Sequence, residues 1–262
     1  MRGLVFAFTL LSAQAATASS DYAQLAGADI VILGEIHDNP GHHQRQAEAV
    51  AALQPSALVF EMLTAEQASE IRDDLRDDAD HVAEAWSKAG WPDFAMYSPI
   101  LSAAPAAQIL GAALPRDAAR AALSTGIVAS FGPEAEAYGL TIPLPDSIQT
   151  ARLAEQAEAH CNALPPELLP GMVDLQRLRD AMLTRAALAA LDTWGAPVIV
   201  ITGNGHARRD GGIPEVLTRL RPEVSVLTVG QAEGDRIDGI YDLVWPGPLV
   251  KRSDPCAALR GG

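Results

Sequence analysis

Four short apolar runs rich in β-branched residues, at 28–33, 57–60, 197–202 and 224–229, constrain this chain more than anything else in it. Each is apolar on both faces, and each is separated from the next by sequence of helical character. Strands of that kind belong in a parallel sheet covered by helices on both sides, not in an antiparallel sheet with one wet face. A fifth, weaker run lies at 241–245. The expected fold class is therefore α/β, with a mainly parallel central sheet flanked by helices. Between the first two runs, Asn39 can cap a helix with Pro40 in its first turn, and Ala47, Val50, Ala51 and Leu53 give it an apolar stripe. Strand 29–34, helix 40–53 and strand 57–61 then form one βαβ unit, normally right-handed.

Two long stretches look helical without intervening strands. One runs from 64 to about 88 and carries a dense acidic segment at 73–80; the other runs from 147 to 192 and is broken by Pro165, Pro166 and Pro170. They are expected to form a smaller helical lobe over the sheet edge, within roughly 64–105 and 147–192. The acidic segment reads as a solvated helix face, since a calcium loop needs alternating oxygen ligands and a turn-making glycine.

The first residues, MRGLVFAFTLLSAQAATASS, place a basic residue before a short apolar run and then small residues at Ala13, Ala15, Ala16 and Ala18. That is the layout of a secretory signal cleaved after Ala15 or Ala18; the apolar run is short of the ~20 residues that a membrane helix needs. Residues 1–18 are accordingly expected to be a signal peptide and 19–262 the mature, periplasmic or secreted domain, with no transmembrane span. No cysteine near the cleavage point offers a lipid anchor. Losing the signal moves the formal charge from −14 to −15, because it carries Arg2 and no acid. So acidic a chain, with no basic run, argues against nucleic acid and anionic membranes as partners. Cys161 and Cys256 lack zinc-site spacing; they form either a structural bridge or two buried free thiols.

Chemistry-bearing residues gather where strands end. Gly34-Glu35-Ile36-His37 leaves the first strand, and an extended backbone there puts Glu35 and His37 on one side. Glu61 closes the second strand, where a carboxylate needs a partner. Gly203-Asn204-Gly205-His206 follows the third long run, its glycines allowing a tight turn. Glu35, His37, Glu61 and His206 thus fall at carboxyl ends of strands, where open α/β sheets bind ligands. Two imidazoles and two carboxylates can hold a divalent metal, or a histidine can serve as base with a glutamate orienting it. His42 and His43 lie near the same edge; His81 and His160 have no evident company. Nucleotide-binding glycine loops and a serine-hydrolase elbow are both missing from the sequence.

With these motifs in place, the chain resembles the ChaN-like family of the haem-binding uptake and Tiki superfamily. The likeness runs through VILGEIHDNPGHHQ at 31–44, VFEM at 59–62 and GWPDFAMYSPI at 90–100. It continues in MVDLQRLRDAML at 172–183, VITGNGHARRDGGIP at 200–214 and YDLVWPGPLVKRSDPCAAL at 241–259. The resemblance implies an erythromycin-esterase/ChaN-like α/β body and haem as cofactor, bound in some members by a dimer through tyrosine. It implies a role in haem or iron uptake or handling; the alternative is a metal-dependent or Glu/His hydrolase of the erythromycin esterase or Tiki type. By the same resemblance Glu35, His37, Glu61 and His206 are the signature positions, and Arg179 and Asp180 a helical pair lining the cleft. Tyr97 becomes the candidate axial haem ligand, and Arg208 and Arg209 candidates for the haem propionates.

Overall fold

A computed structural model describes residues 22–72, 82–84, 86–87, 90–91, 93–254 and 256–257. The signal-like segment, the acidic stretch 73–80 and His81 lie outside the described residues. Six parallel strands form one sheet: β1 (Ile30–Glu35), β2 (Ala57–Phe60), β3 (Gln108–Gly111), β4 (Val198–Gly203), β5 (Val226–Glu233) and β6 (Leu243–Gly247). Their spatial order is β3-β2-β4-β1-β5-β6. The α/β fold expected from the apolar runs is the fold observed, and β1, β2 and β4 are buried at every position. Edge strand β3 was not foreseen. It is only four residues long, and its partly exposed pattern gives no continuous apolar run.

Helix α1 (Pro40–Leu53) starts as its sequence demands, with the Asn39 side chain accepting a hydrogen bond from the Gly41 amide at 3.1 Å and Pro40 in the first turn. It packs with α3 (Phe94–Ala103) on one face of the sheet. Val50, Tyr97, Ile100 and Leu101 join Val31, Leu33 and Phe60 there in one apolar core. The opposite face is covered by α7 (Leu169–Trp194), whose Leu183, Ala187 and Leu188 pack on Ile30, Ile32 and Val200 together with Ile213 and Leu217 of α9 (Gly212–Leu220). α3 and the second half of α7 are therefore outer layers of the sheet sandwich, not a lobe over its edge. A smaller, separate core is built by α4 (Arg116–Thr125), α5 (Ile127–Phe131) and the first half of α7, around Ala122, Phe131, Leu175 and Leu178. Its helices α4 and α5 follow β3, outside the stretches first assigned to a lobe. Three further helices complete the framework: α2 (Ala65–Arg72) after β2, α6 (Asp146–Ala159) ahead of α7, and the single turn α8 (Asn204–Ala207) directly after β4. Cys161, just past α6, forms a disulfide with Cys256 near the C-terminus, 95 residues away. No described helix is long and apolar enough to cross a membrane.

The strand order locates the ligand crevice. After β1 the chain crosses by α1 to β2; after β4 it crosses on the other face by α9 to β5. β1 and β4 are neighbours, with Glu35 in register with Gly203. Connections leave these two strands on opposite faces, so their carboxyl ends cannot be covered by either helix, and a crevice opens between them.

Candidate functional site

Glu35, His37, Glu61 and His206 do meet at that crevice. The β1–β4 approach is tight: a Cβ on Gly34 would lie 2.5 Å from Asn204 Oδ1 and 2.9 Å from the Val229 carbonyl, so only glycine fits. His37 Nδ1 donates to Glu35 Oε1 at 2.7 Å, and its Nε2 stands 3.9 Å from Glu61 Oε2. Glu61 Oε2 accepts hydrogen bonds from the Thr202 hydroxyl at 2.7 Å and the Gly203 amide at 2.8 Å. Its Oε1 is 3.5 Å from His206 Nε2, while His206 Nδ1 donates to Asp180 Oδ1 at 2.6 Å. The result is a chain of alternating acids and imidazoles, Glu35–His37–Glu61–His206–Asp180, crossing the sheet edge from β1 to α7.

Hydrogen-bond partners fix the protonation states. His206 faces carboxylates through both ring nitrogens, so it is an imidazolium. Burial alone would lower its pKa, but Glu61 and then Asp180 hold it up to about 10. Burial pushes the Asp180 carboxyl up while His206 pulls it down; the proton of this pair sits on His206, where both nitrogens require it. Burial would likewise raise Glu35 and Glu61. The His37 hydrogen bond and the close contacts and charges of His37 and His43 bring Glu35 down to about 2, and His206 and His37 hold Glu61 well below the usual carboxylate range. His37 is raised, the Glu35 hydrogen bond and the Glu61 charge outweighing its burial.

The two helix histidines are buried, and their roles differ. His42 Nδ1 accepts from the Ile36 amide and Nε2 donates to the Ala232 carbonyl, which makes it neutral; burial lowers its pKa. His43 Nε2 donates to the His37 carbonyl at 2.8 Å. Its Nδ1 is shared between Gln46 Oε1 at 3.2 Å and Glu35 Oε2 at 3.3 Å. Every atom facing its ring is an acceptor, and its pKa is raised against the effect of burial. The contact with Glu35 is a close ion contact without directed geometry, since Oε2 has no hydrogen-bond partner.

Tyr97 lies behind this layer. It has no exposed surface, its hydroxyl donates to Glu35 Oε1 at 2.6 Å, and burial followed by the Glu35 charge drives its pKa upward. It orients Glu35 and does not open onto the crevice as an axial ligand would. Arg179 and Asp180, expected as a pair, point to different partners: Asp180 to His206, Arg179 to Gln176 Oε1 at 3.1 Å. Arg208 is neutralised by Glu155 and Asp210, and Arg209 pairs with Asp242 at the far end of the sheet. His160 hydrogen-bonds the Gln156 carbonyl at the end of α6.

Two cavities meet at His206. The larger, about 840 Å3, is lined by His37, Glu61, Trp91, Arg116, Arg179 and Gly203, among others. The smaller, about 470 Å3, lies on the other side of His206 between Ile142, Ile148, Arg152, Asp180 and Arg208. Both sizes suit a small-molecule ligand. Arg116 and Arg179 have no carboxylate partner among the described residues, so the wall of the larger cavity offers positive charge in a chain of formal charge −14. Arg116, Trp91 and Thr202 were not anticipated from sequence. Arg116 follows the unforeseen strand β3, and recognising Ile109-Leu110 as a strand core was the one signal that pointed to it. A metal set of Glu35, His37, Glu61 and His206 is not assembled. The imidazoles are turned onto carboxylates, and no group of three or more His, Cys, Asp or Glu among the described residues is arranged to hold a metal ion.

The class defined by this architecture is an open parallel α/β protein with a carboxylate–imidazole relay in its switch-point crevice. Residues 22–217 match the family model described as haem-binding uptake, Tiki superfamily, ChaN, and the chain belongs to that family. Among solved structures it is similar to ChaN of Campylobacter jejuni with cofacially bound haem, at 20% identity, over 86% of this chain and 89% of that one, with a TM-score of 0.61. It also matches the type III effector HopBA1 at 17% identity, over 85% and 88% of the two chains, with a TM-score of 0.46. No curated protein matches the sequence.

Proposed function

We propose that this chain is an exported haem-binding protein that handles haem or iron, with the ligand seated in the larger cavity before His37. One observation carries the reading: the cavity joins a carboxylate-held imidazole to an aromatic and apolar wall and to Arg116 and Arg179, which have no carboxylate partner among the described residues. Trp91 packs on His37 with ring centroids 4.7 Å apart, and Ala112, Leu114 and Pro115 continue the apolar side. Those features fit a flat apolar macrocycle with two carboxylates, and Arg179 and Arg116 would meet the carboxylates by charge-assisted hydrogen bonds. Bound there, haem supplies an iron centre able to carry or exchange an electron. The protein supplies position, a positively charged wall and exclusion of water. The haem bound by the Campylobacter relative supports the choice of ligand, and a second copy closing over the haem belongs to the same proposal. Export is supported by the signal-like first residues and by the Cys161–Cys256 disulfide, which suits an oxidising compartment. Titration of the purified mature domain with hemin should give a saturable Soret band at micromolar concentration. A linear, unsaturable response would refute the proposal.

One observation favours a second reading, hydrolysis. His37, oriented by Glu35, has a base's geometry, while the cationic His206 shares its cleft and can stabilise developing negative charge. Ester or amide cleavage lost in both His37→Ala and His206→Ala would establish it, and inertness toward a broad panel would remove it.

A further inference from the structure

We propose that the smaller cavity is a second binding site, for an aliphatic hydroxy acid whose hydroxyl donates to Asp180 and whose carboxylate meets Arg219. The site is separate from the haem reading, which concerns the larger cavity. Two helices each turn one face toward this space and leave it unfilled. On α6 that face is Ile148, Arg152, Glu155 and Gln156; on α7 it is Val173, Gln176, Arg177 and Asp180, both sets at three- and four-residue spacing. No residue of α6 is buried, although the helix is 14 residues long. A helix of that length ordinarily holds to a domain by a packed apolar stripe. Here polar bonds anchor it instead. Glu155 accepts from Arg152 on one oxygen and from Arg208 on the other, both at 2.8 Å, and Arg152 also donates to the Asp210 carbonyl at 2.7 Å. A Cβ on Gly211 would collide with the Arg152 guanidinium, so glycine keeps that approach open. The Cys161–Cys256 disulfide ties down the chain just past the helix. A roof anchored at its rim thus spans about 470 Å3, and unfilled space beside apolar side chains forfeits packing that a ligand restores.

The lining selects the ligand. Ile142, Leu144 and Ile148 give an apolar side, and Arg177 pins the turn that carries Ile142 by donating to the Gly139 and Ile142 carbonyls at 2.9 and 2.7 Å. Asp180 is the polar group at depth: it is 9% exposed and lines this cavity but not the larger one. Its Oδ1 accepts from His206 Nδ1 at 2.6 Å, while Oδ2 has no hydrogen-bond partner among the described residues. A buried carboxylate oxygen left free requires a donor. It also repels a second carboxylate, so the acid group of a ligand must go to a cation elsewhere on the wall. Arg219 is exposed there and has no carboxylate partner among the described residues. A cationic donor is disfavoured, because Arg152, Arg177, Arg208, Arg219 and the His206 imidazolium outnumber Glu155, Asp180, Asp210 and Glu215 around the space. A hydroxyl supplies the donor without the charge.

Calorimetric titration of the purified mature domain with ω-hydroxy acids from hexanoate to dodecanoate should give saturable binding for at least one chain length. At that length the plain acid, and the ω-methoxy acid that cannot donate, should each bind at least roughly tenfold more weakly, and the diol that lacks the carboxylate a few-fold more weakly. The His206 ring resonances should move on binding. Asp180→Asn should remove the preference for hydroxyl over methoxy: His206 keeps the amide oxygen, and the NH2 group in place of Oδ2 donates to the ether. Ile148→Glu changes an exposed position, so it should leave Tm unaltered and still weaken the hydroxy acid at least roughly tenfold. Absence of saturable binding by the wild-type domain, equal affinity for hydroxy and methoxy acids, or binding unaltered in Ile148→Glu overturns the proposal and leaves the haem reading untouched.

Discussion

Replacing Glu61 by Gln tests the relay at its centre. Glu61 takes two hydrogen bonds on Oε2, from Thr202 and the Gly203 amide, and faces His206 Nε2 at 3.5 Å through Oε1. A glutamine oxygen can keep the first set, but its NH2 group then points at an N–H donor. The charge partner of a buried imidazolium is lost. His206 is held at about 10 against an ordinary 6.5, which amounts to ~5 kcal/mol of interaction with Glu61 and Asp180 net of burial. Glu61 is the larger contributor, so the substitution should cost about 3 kcal/mol near neutral pH, in keeping with the cost of breaking a buried ion pair. For a domain of this size that is a fall in Tm of roughly 6–12 °C. Thermal denaturation followed by circular dichroism measures it, and the His206 imidazole resonances should titrate at lower pH in the variant. The loss should shrink as pH rises toward 10, because wild type surrenders the same proton there. A Tm within about 2 °C of wild type at pH 7, with an unmoved His206 titration, would show that the pair does not carry this energy.

The same groups shape the pH profile of the wild type. Glu35 is lowered to about 2 from 4.5, so its contribution is present above pH 4.5 and lost as pH falls toward 2. His206 is raised, so its contribution is complete below pH 6.5 and lost as pH rises through about 10. Urea midpoints should therefore plateau between these limits and fall on both sides, and His206→Gln should abolish the alkaline decline through about 10 while also reshaping the acid limb, because Glu61 and Asp180 lose their counter-charge. A wild-type profile without an alkaline decline would contradict the imidazolium assignment. Reducing the Cys161–Cys256 disulfide, whose partners are 95 residues apart, should cost about 2–4 kcal/mol, seen as a lower Tm in dithiothreitol and in Cys256→Ser. An unchanged Tm would mean that the C-terminal segment is held by other contacts. Gly203→Ala would place a methyl group 3.1 Å from His37 Nε2. It should lower hemin affinity about tenfold by crowding the cavity wall, with a Tm change of no more than ~3 °C, and equal affinity in calorimetric titration would place the ligand away from this wall.

The parallel α/β body was legible in the chain because fully apolar β-branched runs have no other stable place than a sheet buried on both sides. The same holds for the residues at the strand ends: a carboxylate or imidazole directly after such a run must find a partner, and Glu35, His37, Glu61 and His206 all do. The cap of α1 was equally local, being set by Asn39 and Pro40. Other features depended on contacts remote in sequence. Inserting β4 between β1 and β2 brings His206 within reach of Glu61 across 145 positions, and no local pattern announces that order. Strand β3 is too short and too exposed to sign itself, so Arg116 beyond it stayed hidden. Tyr97 looked like a ligand because its sequence neighbourhood is that of one. Only packing decided that α3 lies flat on α1, which turns its hydroxyl inward onto Glu35. Sequence fixes which groups cannot stay unpaired, because burial costs are local. The choice of partner belongs to the tertiary structure.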